Sequence, residues 1–279
     1  MKVRLILFSA AIVLACEAVG QPPSPTYIPQ TKFARGQDVV PSFDGWIKNT
    51  DGTFTMVFGY LNRNYEEELS IPAGPDNKLD LLPADSGQPT YFLPRRHPWI
   101  FRVKVPADWG NKELVWSITA HGRTEKAYGS LASDEELTER IVMTNGNLSP
   151  GLDDPNQPPA ISISPVEGAT VGQLLALTAH VADDGLPKPR QPKAASTVET
   201  GKSQTDRATP RPPIGLSVSW IQYRGPAKAV FERTGAISVR DGEAVTHVSF
   251  SAPGTYVLRA TATDGALSVP SDILIVVRQ

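Results

Sequence analysis

The sequence is short of the residues that build disulfides and metal centres. It has one cysteine, Cys16, and four histidines in 279 residues. A single cysteine excludes an internal disulfide framework and any zinc site that needs several thiolates. Charge is also nearly balanced, with 27 lysines and arginines against 29 aspartates and glutamates. Neutralising a phosphate backbone needs a clear positive excess, so we predict no nucleic-acid partner.

Local catalytic signatures are missing as well. The sequence has no Gly-x-Ser-x-Gly elbow, no Gly-x-x-x-x-Gly-Lys phosphate loop, no dinucleotide fingerprint and no His-Glu-x-x-His pair. We therefore predict that the protein is not an enzyme. The alternative is a carbohydrate-active hydrolase or lyase whose carboxylates lie in the first domain, with Glu66, Glu68 and Asp85 as candidates.

Proline and glycine are abundant by contrast, with 26 and 22 residues, and 40% of the chain is hydrophobic. A chain of this composition can fold a core, and its turn formers indicate a turn-rich β protein or proline-rich linkers. The absence of long helical patterns favours antiparallel sheets. We predict an all-β fold of two β-sandwich domains in tandem.

The N-terminus is typical of an export signal over residues 1–20. Lys2 and Arg4 precede an apolar run of about eleven residues, which is too short to span a bilayer of ~30 Å. Small residues at Ala18 and Gly20 predict cleavage before Gln21. The alternative is a lipoprotein signal, in which Cys16 is acylated. The mature chain, which has no later spanning segment, is thus expected to be periplasmic or extracellular, or anchored through lipid on Cys16.

Three proline-rich stretches divide the mature chain. Residues 21–30 form an extended leader, and residues 146–159 combine turn formers and proline so densely that they predict an interdomain linker. Residues 186–213 contain six prolines, no aromatic residue and a net charge of +4 (6 basic, 2 acidic). This composition predicts a disordered loop, either a solvated insertion or an arm that binds a polyanion.

The first domain, residues 31–145, is predicted to be a β-sandwich of short strands. Asp51-Gly52 is typical of a hairpin turn, and the segment after it alternates apolar residues from Phe54 to Tyr60. A short helical or extended piece is expected at 134–141, with Ser133 as its cap. This domain is similar only to segments of uncharacterised bacterial secreted proteins, a likeness that brings no activity with it.

The second domain, residues 160–279, contains about seven strand patterns and carries a clearer resemblance. Its features are Asn156-Gln157-Pro158-Pro159, the central Trp220, Pro253-Gly254-Thr255-Tyr256 and Asp264-Gly265, in that order. These resemble the PKD-type, immunoglobulin-like modules of bacterial secreted proteins, although the Trp-Asp-Phe-Gly-Asp-Gly string of many such modules is absent. The resemblance implies an immunoglobulin-like sandwich that acts as a spacer, adhesive or carbohydrate-associated module and brings no catalytic residues.

Two residues of this domain have structural roles in the prediction. Trp220 alternates with Val218 and Leu216 and is expected to fill the core between the sheets. Tyr256 follows a Pro-Gly corner, where its hydroxyl can bond back to the backbone as a tyrosine corner.

One group in the first domain is a candidate binding site. Tyr91, Arg95, Arg96, His97 and Trp99 combine basic and aromatic side chains, which can stack on sugars or hold an acidic partner. The alternative is a strand end with core aromatics and solvated arginines. A second candidate combines two segments that are rich in polar turn residues, Asn62-Arg63-Asn64-Tyr65 and Gly74-Pro75-Asp76-Asn77. They form either a recognition loop or only a pair of turns.

Calcium is the one cofactor that the sequence suggests. Asp183, Asp184 and Asp264 are expected near one end of the second sandwich, where clustered carboxylates can bind Ca²⁺. Asp-Gly turns explain the same residues without a metal. The sequence thus predicts a non-catalytic, exported binding or spacer module, whose partner is a glycan or an envelope protein.

Overall fold

The computed structural model describes residues 32–147, 155–188 and 215–279. The predictions for the export signal, the leader and Cys16 lie outside these residues, as do the middle of the proposed linker and most of the 186–213 loop. Residues Lys32–Gln279 form one compact unit. Two hydrophobic cores lie within it, one for each predicted sandwich.

The first sandwich contains nine strands and one five-residue helix among its described residues. They are β1 (Val39–Lys48), β2 (Phe54–Asn62), β3 (Leu69–Ser70), β4 (Asn77–Leu79), β5 (Tyr91–Phe92), β6 (Arg95–Val105), β7 (Leu114–Ala120), β8 (Arg123–Gly129), β9 (Glu136–Leu137) and α1 (Glu139–Met143).

These strands form two packed sheets and a short ribbon. One sheet has the order β6-β2-β1-β9, the other has the order β4-β7-β8, and β3 pairs with β5. The core is aromatic. The Trp116 ring of one sheet lies 5.9 Å from that of Phe58 and 5.6 Å from that of Phe101 of the other, measured between centroids.

The predicted hairpin at Asp51-Gly52 is confirmed, since β1 and β2 pair antiparallel across it. A short piece with helical and extended parts is present at 134–141 as predicted, but Ser133 is not its cap. A 3₁₀ turn at Ser133–Glu135 is followed by β9 and α1, and no side chain caps the turn. Thr138 caps α1 instead, because its hydroxyl accepts from the Ile141 N–H at 3.3 Å.

The second sandwich contains nine further strands among its described residues. They are β10 (Ala160–Ile163), β11 (Ala169–Thr170), β12 (Leu175–Ala182), β13 (Ser217–Arg224), β14 (Ala229–Phe231), β15 (Ile237–Ser238), β16 (Glu243–Phe250), β17 (Gly254–Thr263) and β18 (Ser268–Arg278).

Their arrangement is immunoglobulin-like. One sheet has the order β10-β12-β16-β14 and the other β11-β18-β17-β13-β15, with β11 running parallel to β18. This matches two antiparallel sheets with Greek-key connections, in which the first edge strand is split between both sheets. The prediction of an all-β fold with tandem sandwiches is confirmed.

Both predicted structural residues lie at the centre of this sandwich. Trp220 is 7% exposed in the core cluster. The Tyr256 hydroxyl donates to the Ala252 carbonyl at 2.9 Å, and its ring packs on Phe250 at 4.6 Å between centroids. A hydroxyl bonded back to the corner before its own strand is the geometry of a tyrosine corner.

Tyr223 at the end of β13 joins the two sandwiches. Its side chain is buried in the core of the first sandwich, where its hydroxyl donates to the Gly87 carbonyl at 2.8 Å. Its own carbonyl accepts from the Thr90 N–H at 3.2 Å. A buried aromatic with backbone bonds on either side fixes this junction more firmly than surface charges would.

Charged pairs surround the same junction. Arg224 pairs with Asp85 at 2.8 Å, and Lys228 pairs with Glu68 at 2.7 Å. Each pair joins a cation of the second sandwich to a carboxylate of the first. Exposed ion pairs are each worth about 0–1 kcal/mol, so they set the register of the joint rather than its strength.

Candidate functional site

The five residues of the predicted basic and aromatic site do not form one site. Tyr91 lies at the junction, where its hydroxyl donates to Glu68 Oε2 at 2.6 Å. Burial, together with the Glu68 carboxylate, raises the pKa of Tyr91. The hydroxyl is therefore a fixed donor inside the molecule and does not face a ligand.

The two arginines take separate partners. The Arg95 guanidinium lies 4.0 Å from the centroid of the Tyr65 ring. Arg96 pairs with the buried Asp44 carboxylate at 2.6 Å. The alternative prediction, in which both arginines are simply solvated, is therefore also incomplete, because each guanidinium has a defined contact.

His97 packs inward. Its ring is stacked on Tyr60 with centroids 4.9 Å apart, and its Nε2 lies 3.2 Å from the Pro94 carbonyl oxygen. Burial lowers the pKa of His97 below its usual 6.5, which favours the neutral ring.

Trp99 is held in an unusual position by two irregularities in the sheet. Asp44 is an extra residue in β1 opposite β2, and three residues of β6, 98–100, lie between successive pairs with β2. The backbone of Trp99 has φ of +57°, a sparsely populated conformation for a bulky side chain. Such strain persists only where the surrounding structure enforces it.

Asp44 enforces it. One carboxylate oxygen accepts from the Trp99 N–H at 2.8 Å, and the other accepts from Arg96 at 2.6 Å and from the Ser42 hydroxyl at 3.0 Å. Gly59 of β2 lies between Asp44 and the backbone of β6, and a Cβ at this position would come within 2.8 Å of the His97 carbonyl oxygen. Glycine is thus required for this close approach of three strands.

Trp99 forms one wall of a cleft of about 510 Å³ between the two sandwiches. The opposite wall comes from β17 and β18. The cleft is lined by Pro98, Trp99, Ile100, Arg102, Glu139, Val142, Met143, Asn145, Arg259, Thr261, Ser268, Val269 and Pro270. Its volume lies in the range of pockets that bury a small ligand, and its lining is mainly apolar with a few polar groups.

The polar groups of the cleft are already ordered by other contacts. Arg102 pairs with Glu139 at 2.8 Å, and the Trp99 indole N–H donates to Asn145 Oδ1 at 2.9 Å. Arg259 pairs with Asp272 at 2.7 Å and donates to the Ile100 carbonyl across the joint. Its guanidinium also lies 4.1 Å from the Tyr223 ring centroid. The cleft therefore offers fixed donors and acceptors beside an aromatic ring, an arrangement suited to binding.

The proposed catalytic carboxylates have structural partners. Glu68 and Asp85 each bind a cation of the second sandwich, and the hydrogen bond from Arg224 lowers the pKa of Asp85. A lowered pKa keeps Asp85 ionised, which is unsuited to a general acid. Glu66 is exposed at the surface. The hydrolase or lyase alternative stays a prediction.

The three predicted calcium ligands lie near the start of the second sandwich. Asp264 accepts from the Asn156 amide at 3.0 Å and from the Ala266 and Leu267 N–H groups, and Asp184 accepts from the Gln157 N–H at 2.9 Å. Burial and the neighbouring Asp264 and Asp184 raise the pKa of Asp183. Within the described residues, no group of three or more His, Cys, Asp or Glu side chains could hold a metal ion. Calcium binding stays a prediction.

Sequence reasoning missed Asp44 and Arg259. Asp44 acts on a residue 55 positions later in the chain, and Arg259 contacts Ile100 from the other domain. Neither residue lies in a motif. Gly59, which the fold places beside Asp44, is a possible sequence signal. That this position requires a small residue becomes apparent only when the strands are paired.

Comparison with known proteins identifies no family. No protein-family model and no curated protein match the chain. Among solved structures, a conjugative transposon lipoprotein from Bacteroides eggerthii is 9% identical, covers 42% of this chain and 96% of its own, and has a TM-score of 0.27. The D00-D0 domain of intimin is 12% identical, covers 86% of this chain and 100% of its own, and has a TM-score of 0.27. A chimeric titin Z1Z2 tandem is 14% identical, covers 85% of this chain and 93% of its own, and has a TM-score of 0.24.

Scores this low do not mark a shared fold, so these likenesses carry nothing over to the present chain. The immunoglobulin-like description of the second sandwich rests on its own strand order. Across the described ranges, the structure contains no helix that is long and apolar enough to cross a membrane.

Proposed function

We propose that this protein is a non-catalytic, exported binding module whose ligand occupies the cleft beside Trp99. The observation that carries the proposal is the strained Trp99, held by the buried Asp44 at the wall of a preformed cleft. Backbone strain concentrates at ligand sites because binding depends on the position that it enforces. The firm joint at Tyr223 keeps the opposite wall in place.

The lining favours a polymer that combines apolar and hydrogen-bonding groups. The Trp99 ring can stack on the face of a sugar, while Val142, Met143 and Val269 suit apolar side chains. An envelope glycan that carries peptides, such as peptidoglycan, has both kinds of group. An envelope protein that contributes an extended segment is the second candidate, and the apolar part of the lining favours it.

Sedimentation with purified peptidoglycan sacculi tests the proposal. The full chain is expected to pellet with the sacculi, and Trp99→Ala is expected to stay in the supernatant with unchanged circular dichroism. Trp109→Phe is the matched control, because Trp109 is buried in the first core away from the cleft. Wild type that stays soluble, or a Trp99→Ala variant that pellets equally, would refute the proposal.

The same preparations test catalysis. Release of reducing ends or unsaturated sugars from the sacculi, abolished by Glu68→Gln or Asp85→Asn, would favour the hydrolase or lyase alternative. We expect no release. A disaccharide without its peptide, used as a competitor, distinguishes recognition of the sugar from recognition of the peptide.

A further inference from the structure

The loop that follows β2 is fixed from inside the first sandwich. Asn62 and Asn64 are fully buried. The Asn62 amide donates to the carbonyls of Glu67 at 2.8 Å and Phe92 at 3.1 Å, and the Asn64 amide donates to the Gln37 carbonyl at 2.8 Å. Buried amides with satisfied hydrogen bonds hold a loop in one conformation. The residues that alternate with them, Arg63 and Tyr65, are therefore presented outward in a set position.

Tyr65 is surrounded by cations. The residue is 41% exposed, and the centroid of its ring lies 4.0 Å from the Arg95 guanidinium and 5.3 Å from the Lys32 ammonium. Arg95 has φ of +74°, so its backbone is held in the left-handed region to place this contact. The two cations over this ring make the surface basic, which separates it in chemistry from the Trp99 cleft.

The surface also has an apolar element and two cations that have no carboxylate partner among the described residues. Phe33 is 49% exposed, and its carbonyl accepts from the Tyr65 N–H at 3.0 Å. Arg63 is paired with the buried Asp38 at 3.2 Å. Lys32 and Arg95 have no carboxylate within 4.0 Å in the part of the chain that the structure describes. Two carboxylates are near Tyr65. Glu66 is exposed, and Glu67 accepts from the Gly36 N–H at 2.6 Å and lies 3.2 Å from His121 Nε2.

The chain enters the folded unit at this surface. Lys32 is the first described residue, and the 31 residues before it include the apolar run and Cys16. Sixteen residue steps separate Cys16 from Lys32, a reach of at most about 55 Å when extended. Any attachment of the N-terminal segment to a bilayer would hold this end of the sandwich close to the lipid surface and raise its effective concentration there.

We infer that the basic–aromatic end, defined as Lys32, Phe33, Arg63, Tyr65 and Arg95, is a docking surface for an anionic phospholipid bilayer. Lysine and arginine are attracted to anionic headgroups, and exposed aromatic rings lie favourably at headgroup level. The inference goes beyond the proposed cleft function, shares no residue with the cleft, and can fail without affecting it.

Vesicle sedimentation of the full chain tests the inference. Vesicles of phosphatidylcholine alone are compared with vesicles that also contain phosphatidylglycerol, at low salt. The N-terminal segment, which carries Lys2 and Arg4 beside its apolar run, is identical in the wild type and the variants. A change in the ratio of the two affinities between wild type and variant therefore isolates the part that the docking surface contributes. We expect tighter binding to the anionic vesicles, and Lys32→Gln/Arg95→Gln is expected to reduce that preference about 30-fold for two cations.

The matched control is Lys48→Gln/Lys126→Gln, which removes the same charge from exposed positions on β1 and β8. Lys48 lies at the opposite end of β1 from the Asp38–Arg63 pair. The control is expected to keep the preference. Equal binding of wild type to both vesicles, or an equal loss in the control, would overturn the inference. Complete competition by soluble polygalacturonate at equal charge concentration would also overturn it, and would identify an acidic polysaccharide as the ligand.

Discussion

Replacing Asp44 with asparagine should both destabilise the first sandwich and free Trp99. The Asp44 side chain is 3% exposed and its two oxygens receive three donors, from Arg96, Ser42 and the Trp99 N–H. Asparagine keeps one acceptor oxygen and places an amide donor where the other oxygen was. Either the Trp99 N–H or the pair of Arg96 and Ser42 therefore loses its acceptor.

The magnitude follows from the bonds lost. A hydrogen bond to a charged group is worth about 1.5–3 kcal/mol, and an amide that faces other donors adds an unsatisfied polar group. Arg96 is half exposed, so solvent offsets part of its loss. We expect Asp44→Asn to reduce the free energy of unfolding by about 2–3 kcal/mol, against about 1 kcal/mol for Ser42→Ala, which removes one neutral donor.

Equilibrium urea denaturation, followed by far-ultraviolet circular dichroism, measures both variants. The m-value is expected to stay constant, since the surface exposed on unfolding is unchanged. The Asp44→Asn variant should also lose binding to sacculi beyond its loss of stability, because Trp99 is no longer held. An Asp44→Asn variant as stable as Ser42→Ala, with binding intact, would refute the role assigned to this carboxylate.

Three further predictions concern the joint and two titrating groups. Tyr223→Phe should lower the free energy of unfolding by about 1 kcal/mol, because it removes the hydroxyl bonded to the Gly87 carbonyl; an unchanged urea midpoint would argue against the joint. Burial lowers the pKa of His97, so its contribution to stability is present above pH 6.5 and is lost as the pH falls through the folded-state pKa. His97→Phe should therefore show a smaller drop in Tm between pH 8 and pH 5 than wild type, and an equal drop would contradict this. The pKa of Asp183 is raised, so its contribution is present below the unfolded value of 3.8 and is lost as the pH rises through the folded-state pKa. Asp183→Asn should accordingly raise Tm at pH 8 and not at pH 3. If Asp183 binds Ca²⁺, added CaCl₂ should raise the Tm of wild type and not that of Asp183→Asn.

The architecture was predictable because it depends on local periodicity. Leu114, Trp116, Ile118 and Ala120 alternate with partly buried residues along β7, as the period of two predicts for a strand with one face in the core. Trp220 lies in the second core and the Tyr256 hydroxyl bonds to Ala252, and each residue belongs to a short segment whose local pattern indicates its place.

The site was not predictable in the same way. Tyr91, Arg95 and Trp99 are near one another in the sequence, but strand pairing sends the first to the joint, the second to Tyr65 and the third to the cleft. Asp44 and Arg259 act through contacts that only the paired sheets and the joined sandwiches create. Proximity along the chain predicts a shared site poorly where a β-strand is irregular.

The most direct test of the cleft as the binding site is a titration of the ¹⁵N-labelled chain with soluble muropeptides, followed at the tryptophan indole N–H signals. The chain has five tryptophans, and four of them, Trp46, Trp109, Trp116 and Trp220, are buried in or beside the two cores. We expect a saturable shift of the Trp99 indole signal while the signals of the other four tryptophans stay in place. A Trp99 signal that does not move, or a shift confined to another tryptophan, would contradict this expectation.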